Sequence, residues 1–173
     1  MTGVLLVGGA STRFGAPKAL ARLDGTTLAE RAWRLLDFCD ERLAVGKARD
    51  ALPLPFELVD DGARERAAIY GVRAGLAAAR HDVCLFLPVD VPLVTRAALR
   101  ALARARAVPA SGPLPGAYPR SVLPEVERRI GRGELALRGL AERVLELDDA
   151  LFENANTRTD LDRIAATLAR AVG

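Results

Sequence analysis

The sequence predicts an α/β fold, with a Rossmann-like three-layer domain, a mostly parallel sheet and helices on both faces. Helical and strand-like segments alternate along the chain, which is typical of a parallel sheet. The N-terminal apolar run ends at two glycines, as a buried strand does where it enters a tight loop. The 173 residues, 50% of them hydrophobic, suffice for one substantial core but not for two ordinary domains. We therefore expect a single domain over residues 1–173.

The first half of the chain contains four strand-like segments and two helical ones. Thr27-x-x-Glu30 has the form of a capping box and predicts a helix start. An alanine-rich stretch is a good helix former, and the most apolar strand candidate follows it. In chain order the predicted elements are strand 3–7, helix 27–39, strands 42–46 and 56–60, helix 70–80 and strand 81–87.

The second half is predicted to be mainly helical. Residues 108–119 contain four prolines and two glycines, so we expect a loop or an edge strand there. Thr157-x-x-Asp160 is typical of a helix cap. The predicted elements are helices 95–106, 121–131 and 134–142, strand 143–147 and a last helix from the Thr157 cap to about Ala171.

Composition excludes several classes of protein. The formal net charge is only +3, and the arginines are dispersed, which argues against a dedicated nucleic-acid surface. The N-terminus lacks a secretory pattern, and we find no stretch of about 18 apolar residues to span a membrane. Cys39 and Cys84 have no partners spaced for a zinc site, so we expect buried thiols. These features predict a cytoplasmic protein, and a monomer is compatible with them.

The loop after the first strand is the most informative segment. Its glycines allow backbone amides to approach an anion or a flat base, while Arg13 and Lys18 place charge opposite phosphates. Only two of the 25 basic residues are lysines, and an ammonium fits between phosphates as a point charge. The loop matches neither the Rossmann fingerprint nor the Walker A motif. The alternative is a simple glycine turn.

Asp90 follows the most buried predicted strand, on a turn flanked by prolines. Ligands bind beyond the carboxyl ends of strands in such sheets, and a carboxylate there suits Mg²⁺, which takes oxygen ligands and bridges substrate phosphates. The alternative role is a cap for the next helix, but Thr95 is better placed for that. We therefore favour a metal site at Asp90.

Residues 6–18, Leu-Val-Gly-Gly-Ala-Ser-Thr-Arg-Phe-Gly-Ala-Pro-Lys, resemble the nucleotide-binding signature of nucleotidyltransferases. The resemblance is closest to the molybdenum cofactor guanylyltransferases, in which Leu-Ala-Gly-Gly-x-Ser-x-Arg-Met-Gly and a following Lys hold GTP. Leu-Pro-Val-Asp-Val-Pro at 87–92 is similar to the segment that binds magnesium in that family. Tyr70–Leu76 and Asn154–Thr157 are similar to its Gly-Pro-Leu-Ala-Gly-Leu and Asn-x-Asn-Thr segments. Apart from this resemblance, Gly71 and Gly75 can be interpreted as small residues at the start of a helix, and Asn156-Thr157 as a helix cap.

The resemblance implies that the protein moves GMP from MgGTP to the terminal phosphate of molybdopterin, or molybdenum cofactor, and releases pyrophosphate. It implies Arg13, Lys18 and Asp90 as catalytic residues, Asp90 as the Mg²⁺ ligand, and Asn154, Asn156 and Thr157 as candidates for the pterin side. The candidates for nucleotide binding are Leu6, Val7, Gly8, Gly9, Ser11, Arg13, Lys18, Asp61, Gly71, Gly75 and Asp90.

Three interpretations remain at this point. Relatives that use CTP tend to have Ala where Gly8 stands, and they generally lack the Asn-x-Asn-Thr segment, so the sequence favours GTP. A cytidylyltransferase or another sugar-phosphate nucleotidyltransferase is the second interpretation. Residues 107–118 are shorter than in the family, which keeps open a third, a nucleotide-binding relative without catalytic activity.

Overall fold

The computed structural model describes residues 1–8 and 17–172, and the elements follow the predicted alternation. The helices are α1 (Leu28–Leu35), α2 (Ala68–Ala78), α3 (Arg96–Ala105), α4 (Leu123–Gly131) and α5 (Arg158–Val172). The strands are β1 (Thr2–Leu6), β2 (Arg22–Leu23), β3 (Thr26–Thr27), β4 (Glu41–Gly46), β5 (Leu58–Asp60), β6 (Val83–Pro88), β7 (Val108–Pro109), β8 (Gly116–Pro119) and β9 (Val144–Leu145).

The main sheet has five strands in the order β5-β4-β1-β6-β8. The first four are parallel to one another, and β8 pairs antiparallel with β6 at the edge. The prediction of a mostly parallel sheet is confirmed. Residues 108–119 supply the edge strand β8, because proline is tolerated at a sheet edge and not in the centre. Two small ladders, β2-β3 and β7-β9, complete the pairing.

Helices cover both faces of this sheet, as predicted. Successive side chains of a strand point to opposite faces, so Leu5 packs in a core cluster with α1 and α3, whereas Val4 packs in another with α2 and α4. Both side chains are fully buried. A third cluster joins α5 to the start of α1, through Ile164 and Leu28. The three-layer architecture is therefore confirmed.

Three predicted helix caps are present. The Thr27 hydroxyl accepts from the backbone N–H of Glu30, and the Glu30 carboxylate accepts from the backbone N–H of Thr27, which completes the capping box. Thr95 caps α3 by accepting from the N–H of Ala98 at 3.1 Å. Thr157 and Asp160 cap α5 in the same reciprocal way. Each cap satisfies N–H groups that a helix leaves without intrahelical partners.

The predicted helix over 134–142 is wrong. The segment is irregular, with Gly133 and Gly139 at φ +73° and +79°, in the left-handed region that interrupts a helix. The Arg129 guanidinium donates to the carbonyls of Ala136 and Arg138 at 3.2 and 2.9 Å, so side-chain donors replace helical hydrogen bonds. The segment nevertheless packs against the core through the buried Leu137.

Several predicted bounds are also too long. α1 ends at Leu35 rather than near residue 39, and the strand predicted over 143–147 is only the pair Val144–Leu145. None of the helices in the described ranges combines the length and the apolar composition that a membrane-spanning segment needs.

Candidate active site

A cavity of about 370 Å³ lies at the carboxyl ends of β1, β4, β5 and β6. Because the strands are parallel, their carboxyl ends all lie on the same side of the sheet, and open α/β sheets bind ligands there. The N-terminal residues of α2 form part of the wall, and Pro113 and Leu114 reach it from the loop before β8. Both lysines of the chain, Lys18 and Lys47, line this cavity.

Lys18 and Asp90, two of the predicted site residues, form an ion pair in the cavity wall. The Lys18 ammonium donates to Asp90 Oδ2 at 3.1 Å and to Asn156 Oδ1 at 2.8 Å. Lys18 begins a short 3-10 helix, Asp90 follows β6, and Asn156 precedes α5. Three segments distant in sequence thus place a cation, a carboxylate and an amide together. Partial burial strengthens this pairing, since the side chains are 14% and 26% exposed.

A second ion pair lies beside β4 and β5 and is buried. The Lys47 ammonium donates to both carboxylate oxygens of Asp61, at 2.9 and 3.0 Å. These residues follow Gly46 and Asp60, which are register partners in the sheet. The cavity is therefore lined by two lysine–aspartate pairs, one after β6 and one after β4 and β5.

Asp90 fits a magnesium ion that also binds substrate phosphates. Mg²⁺ in such sites is bound by one or two carboxylates, and water and phosphate oxygens supply the other ligands. Asp90 lines the cavity and is partly accessible. Among residues 1–8 and 17–172 no cluster of three or more His, Cys, Asp or Glu side chains could hold a metal by itself. The donor set therefore suits a metal that arrives with a phosphate ligand.

Most of the predicted site residues that the structure describes are brought together. Asn156 joins the cavity residues through its hydrogen bond to Lys18. Gly9, Ser11 and Arg13 lie outside the described residues, so their predicted roles rest on the sequence. The predicted residues that line the cavity are Leu6, Val7, Gly8, Lys18, Asp61, Gly71, Asp90 and Asn154.

Two predicted site residues, Gly75 and Thr157, lie outside the cavity lining. A Cβ atom at Gly75 would lie 2.7 Å from Phe86 Cε1 and 2.8 Å from Val4 Cγ1, so this glycine allows α2 to pack closely on the sheet. Thr157 caps α5. Neither residue is among those lining the cavity. The structure thus gives Gly75 a packing role, and the alternative that Thr157 acts as a cap agrees with its contacts.

We expect Gly75→Ala to lower the free energy of unfolding without weakening nucleotide binding. Overpacking costs about 1–3 kcal/mol, and the better helix propensity of alanine returns about 1 kcal/mol of it. Urea unfolding and nucleotide titration measure the two effects. Gly131→Ala is the matched control, because a Cβ atom at Gly131 meets nothing within 4 Å. A Gly75→Ala protein of unchanged stability but weaker nucleotide binding would show that Gly75 contacts the nucleotide.

The cavity residues that sequence reasoning missed include Lys47, Arg66, Pro113 and Leu114. A signal for Lys47 was present, because it is one of two lysines in an arginine-rich chain and follows a strand directly. Arg66 donates to both carboxylate oxygens of Asp50, at 3.0 and 2.6 Å. Pro113 and Leu114 belong to the 108–119 segment, for which the sequence predicts a loop or an edge strand, but no local pattern indicates that this segment reaches the cavity.

The sheet order, the cavity at the carboxyl ends and the Lys18–Asp90 pair define an α/β protein with a polar ligand site at the position typical of open parallel sheets. The model of the MobA-like NTP transferase domain matches residues 3–150. The chain therefore belongs to the MobA-like NTP transferase family and is a nucleotidyltransferase.

Individual relatives agree with this assignment. The chain is 36% identical over 154 residues to a probable molybdenum cofactor guanylyltransferase of Chloroflexus aggregans, covering 79% of this chain and 74% of that one. It is 28% identical to the molybdenum cofactor guanylyltransferase of Desulfosudis oleivorans over 97% of this chain and 96% of the other. The crystal structure of molybdopterin-guanine dinucleotide biosynthesis protein A from Archaeoglobus fulgidus superposes with a TM-score of 0.77. That protein is 24% identical, with 98% of this chain and 100% of the other covered.

Proposed function

We propose that residues 1–173 form one guanylyltransferase domain that transfers GMP from MgGTP to the terminal phosphate of molybdopterin. The products are molybdopterin guanine dinucleotide and pyrophosphate. The observation that carries this proposal is the Lys18–Asp90 pair in a cavity at the carboxyl ends of the parallel strands. The names of the relatives support the choice of guanine and of molybdopterin.

The reaction needs positioning and charge neutralisation rather than a nucleophile on the protein. An oxygen of the acceptor phosphate attacks the α-phosphorus of GTP, a new phosphorus–oxygen bond forms, and the bond from the α-phosphorus to the bridging oxygen breaks. Pyrophosphate leaves with that bridging oxygen. The Lys18 ammonium, with Arg13 and the loop amides predicted from the sequence, neutralises negative charge on the phosphates and holds them in line.

Asp90 is the residue proposed to hold Mg²⁺. When bound, the ion supplies electrostatic stabilisation to the phosphate oxygens that gain charge during transfer. Asp90 accepts from Lys18, so the pair places an anion for the metal and a cation for the phosphates side by side. With the ion held by Asp90, the Lys18 ammonium would supply the further positive charge that the triphosphate needs.

The Lys47–Asp61 side of the cavity is proposed to take the base. The Asp61 carboxylate accepts hydrogen bonds, and it already accepts two from the ammonium of Lys47. Guanine presents two adjacent N–H donors, N1–H and the N2 amino group, to such an acceptor. Gly71 also lines the cavity. A Cβ atom there would lie 2.9 Å from Leu6 Cδ2, so glycine lets the start of α2 lie close to β1 in the cavity wall.

The acceptor is proposed to enter from the side formed by the segment before α5. Asn154 lines the cavity, and Asn156 reaches Lys18, so both lie where an acceptor phosphate would meet the triphosphate. Thr157 supports this segment by capping α5. Leu114 from the loop before β8 lines the same cavity.

A cytoplasmic location is also proposed. Both cysteines are free thiols, as expected in a reducing compartment. Burial raises the pKa of each thiol to about 11, so neither is a reactive thiolate near neutral pH.

Product analysis tests the proposal. Purified protein is incubated with Mg²⁺, molybdenum-loaded molybdopterin and either GTP or CTP, and the dinucleotide is identified by mass. We expect product and pyrophosphate from GTP and none from CTP. A reaction without acceptor controls for simple hydrolysis of the nucleotide.

The other outcomes separate the alternative functions. Product from CTP alone would identify a cytidylyltransferase. Binding of MgGTP without product, in folded protein and with either nucleotide, would indicate a nucleotide-binding relative without catalytic activity or one with a different acceptor.

A further inference from the structure

Lys47 is a cavity-lining cation whose donors are all used by the protein. An ammonium has three N–H donors. Those of Lys47 go to Asp61 Oδ1 at 2.9 Å, Asp61 Oδ2 at 3.0 Å and the carbonyl oxygen of Ala63 at 2.7 Å. The side chain is only 4% exposed. Lys47 would therefore have to give up a buried partner before it could bind a substrate phosphate.

The contacts of Lys47 hold Asp61 in one position. The backbone N–H of Ala63 donates to Asp61 Oδ1 at 2.9 Å, and the Asp61 N–H donates to the carbonyl of Gly46 at 2.8 Å. The Arg73 guanidinium donates to the carbonyl of Asp61 at 2.6 Å. Within the described part of the chain, Oδ2 accepts from Lys47 alone, and a carboxylate oxygen has more than one acceptor site. Asp61 is thus fixed, and Oδ2 retains capacity for a ligand donor.

We propose that Lys47 is a positioning residue for the base of the nucleotide. Its ammonium fixes the Asp61 carboxylate at the end of the cavity proposed to take the base, and it does not bind phosphate. This inference rests on the proposed function, because it assumes that the cavity takes a nucleoside triphosphate. It divides the two lysines by role, with Lys18 acting on the phosphates and Lys47 acting through Asp61.

This division predicts different effects on two ligands. Inorganic tripolyphosphate resembles the phosphates of GTP but has no base. Loss of Lys47 should weaken GTP binding and leave tripolyphosphate binding unchanged. A lysine that bound phosphate directly would be needed for both.

Calorimetric titration of the full chain with GTP and with tripolyphosphate, each with Mg²⁺, measures these effects. For Lys47→Met we expect GTP affinity to fall about 10- to 100-fold, the usual consequence of losing a hydrogen bond with a charged group. Tripolyphosphate affinity should change less than about twofold. Arg80→Met is the matched control, because Arg80 also pairs with a buried carboxylate, that of Glu41, at 2.7 Å. Glu41 begins β4, so this pair lies at the amino ends of the strands, away from the cavity. This variant should bind both ligands as the unaltered protein does.

Replacing Lys47 in a protein that already contains Asp61→Asn tests whether Lys47 acts through Asp61. It also provides a second measurement in case Lys47→Met alone folds poorly. The double variant Lys47→Met, Asp61→Asn leaves no unpaired buried carboxylate. We expect it to bind GTP within about twofold of Asp61→Asn alone, since coupled residues are not additive.

Three results would overturn the inference: equal loss of GTP and tripolyphosphate binding in Lys47→Met, unchanged GTP binding in that variant, or additive losses in the double variant. Failure of the unaltered protein to bind GTP would instead contradict the proposed function. The two ideas therefore fail separately.

Discussion

Replacing Asp90 with asparagine is expected to lower kcat for guanylyl transfer by at least about 10³-fold. A metal ion at the transferring phosphates contributes several kcal/mol, and about 4 kcal/mol corresponds to a factor of 10³. Asparagine keeps the size of the side chain but removes the charge that pairs with Lys18 and that is proposed to hold Mg²⁺. Steady-state kinetics over a range of Mg²⁺ concentrations measure the loss and any rise in the metal concentration required.

Stability should change little in this variant, because a partly exposed ion pair is worth about 1 kcal/mol or less. Asp82→Asn is the matched control, since Asp82 is exposed and lies just before β6, at the end of the strand opposite Asp90. It should leave kcat unchanged. An Asp90→Asn protein with near-normal kcat and normal Mg²⁺ dependence would remove Asp90 from the metal site.

Replacing Glu41 with glutamine is expected to lower the free energy of unfolding at pH 7 by about 2–3 kcal/mol. Breaking a buried charged network costs this much or more, and Glu41 is only 9% exposed. Its carboxylate accepts from the Thr2 hydroxyl at 2.6 Å and from the backbone N–H and guanidinium of Arg80 at 2.9 and 2.7 Å. The amide group of glutamine would place its own N–H donors opposite the donors of Thr2 and Arg80. Urea unfolding measures the difference.

The loss of unfolding free energy in Glu41→Gln should also depend on pH. Burial by itself would raise the pKa of Glu41, but the hydrogen bonds from Thr2 and Arg80 outweigh burial and lower that pKa from its ordinary value of 4.5 to about 2. The stabilisation is therefore complete above pH 4.5 and is lost as the pH falls from 4.5 towards 2. The difference between the unaltered protein and Glu41→Gln should shrink over this interval.

Glu57→Gln is the control for this experiment, because Glu57 is exposed and should show no such trend. An equal difference between the unaltered protein and Glu41→Gln at pH 7 and pH 3 would mean that the charge of Glu41 does not stabilise the fold.

Much of the candidate site was predictable from the sequence because strand ends carry local signals. The apolar run before Gly8 and the turn containing Asp90 each mark the end of a buried strand. In a parallel sheet those ends lie at one edge, so the positions of Lys18 and Asp90 near one cavity followed from topology. Lys47 belongs to no motif and stands out in the sequence only as one of two lysines. The positioning role proposed for it rests on its contacts with Asp61.

The sequence by itself determined the strand and helix alternation and the three capping motifs, because hydrophobic spacing and capping act within a few residues of the chain. Tertiary structure decided which groups meet. Lys18 and Asn156 are 138 positions apart yet hydrogen-bonded, and Gly75 packs on Phe86 rather than lining the cavity. The irregular 134–142 segment was decided in the same way, since Arg129 satisfies its carbonyls from another element. Such contacts depend on the packing of whole elements, which no local pattern encodes.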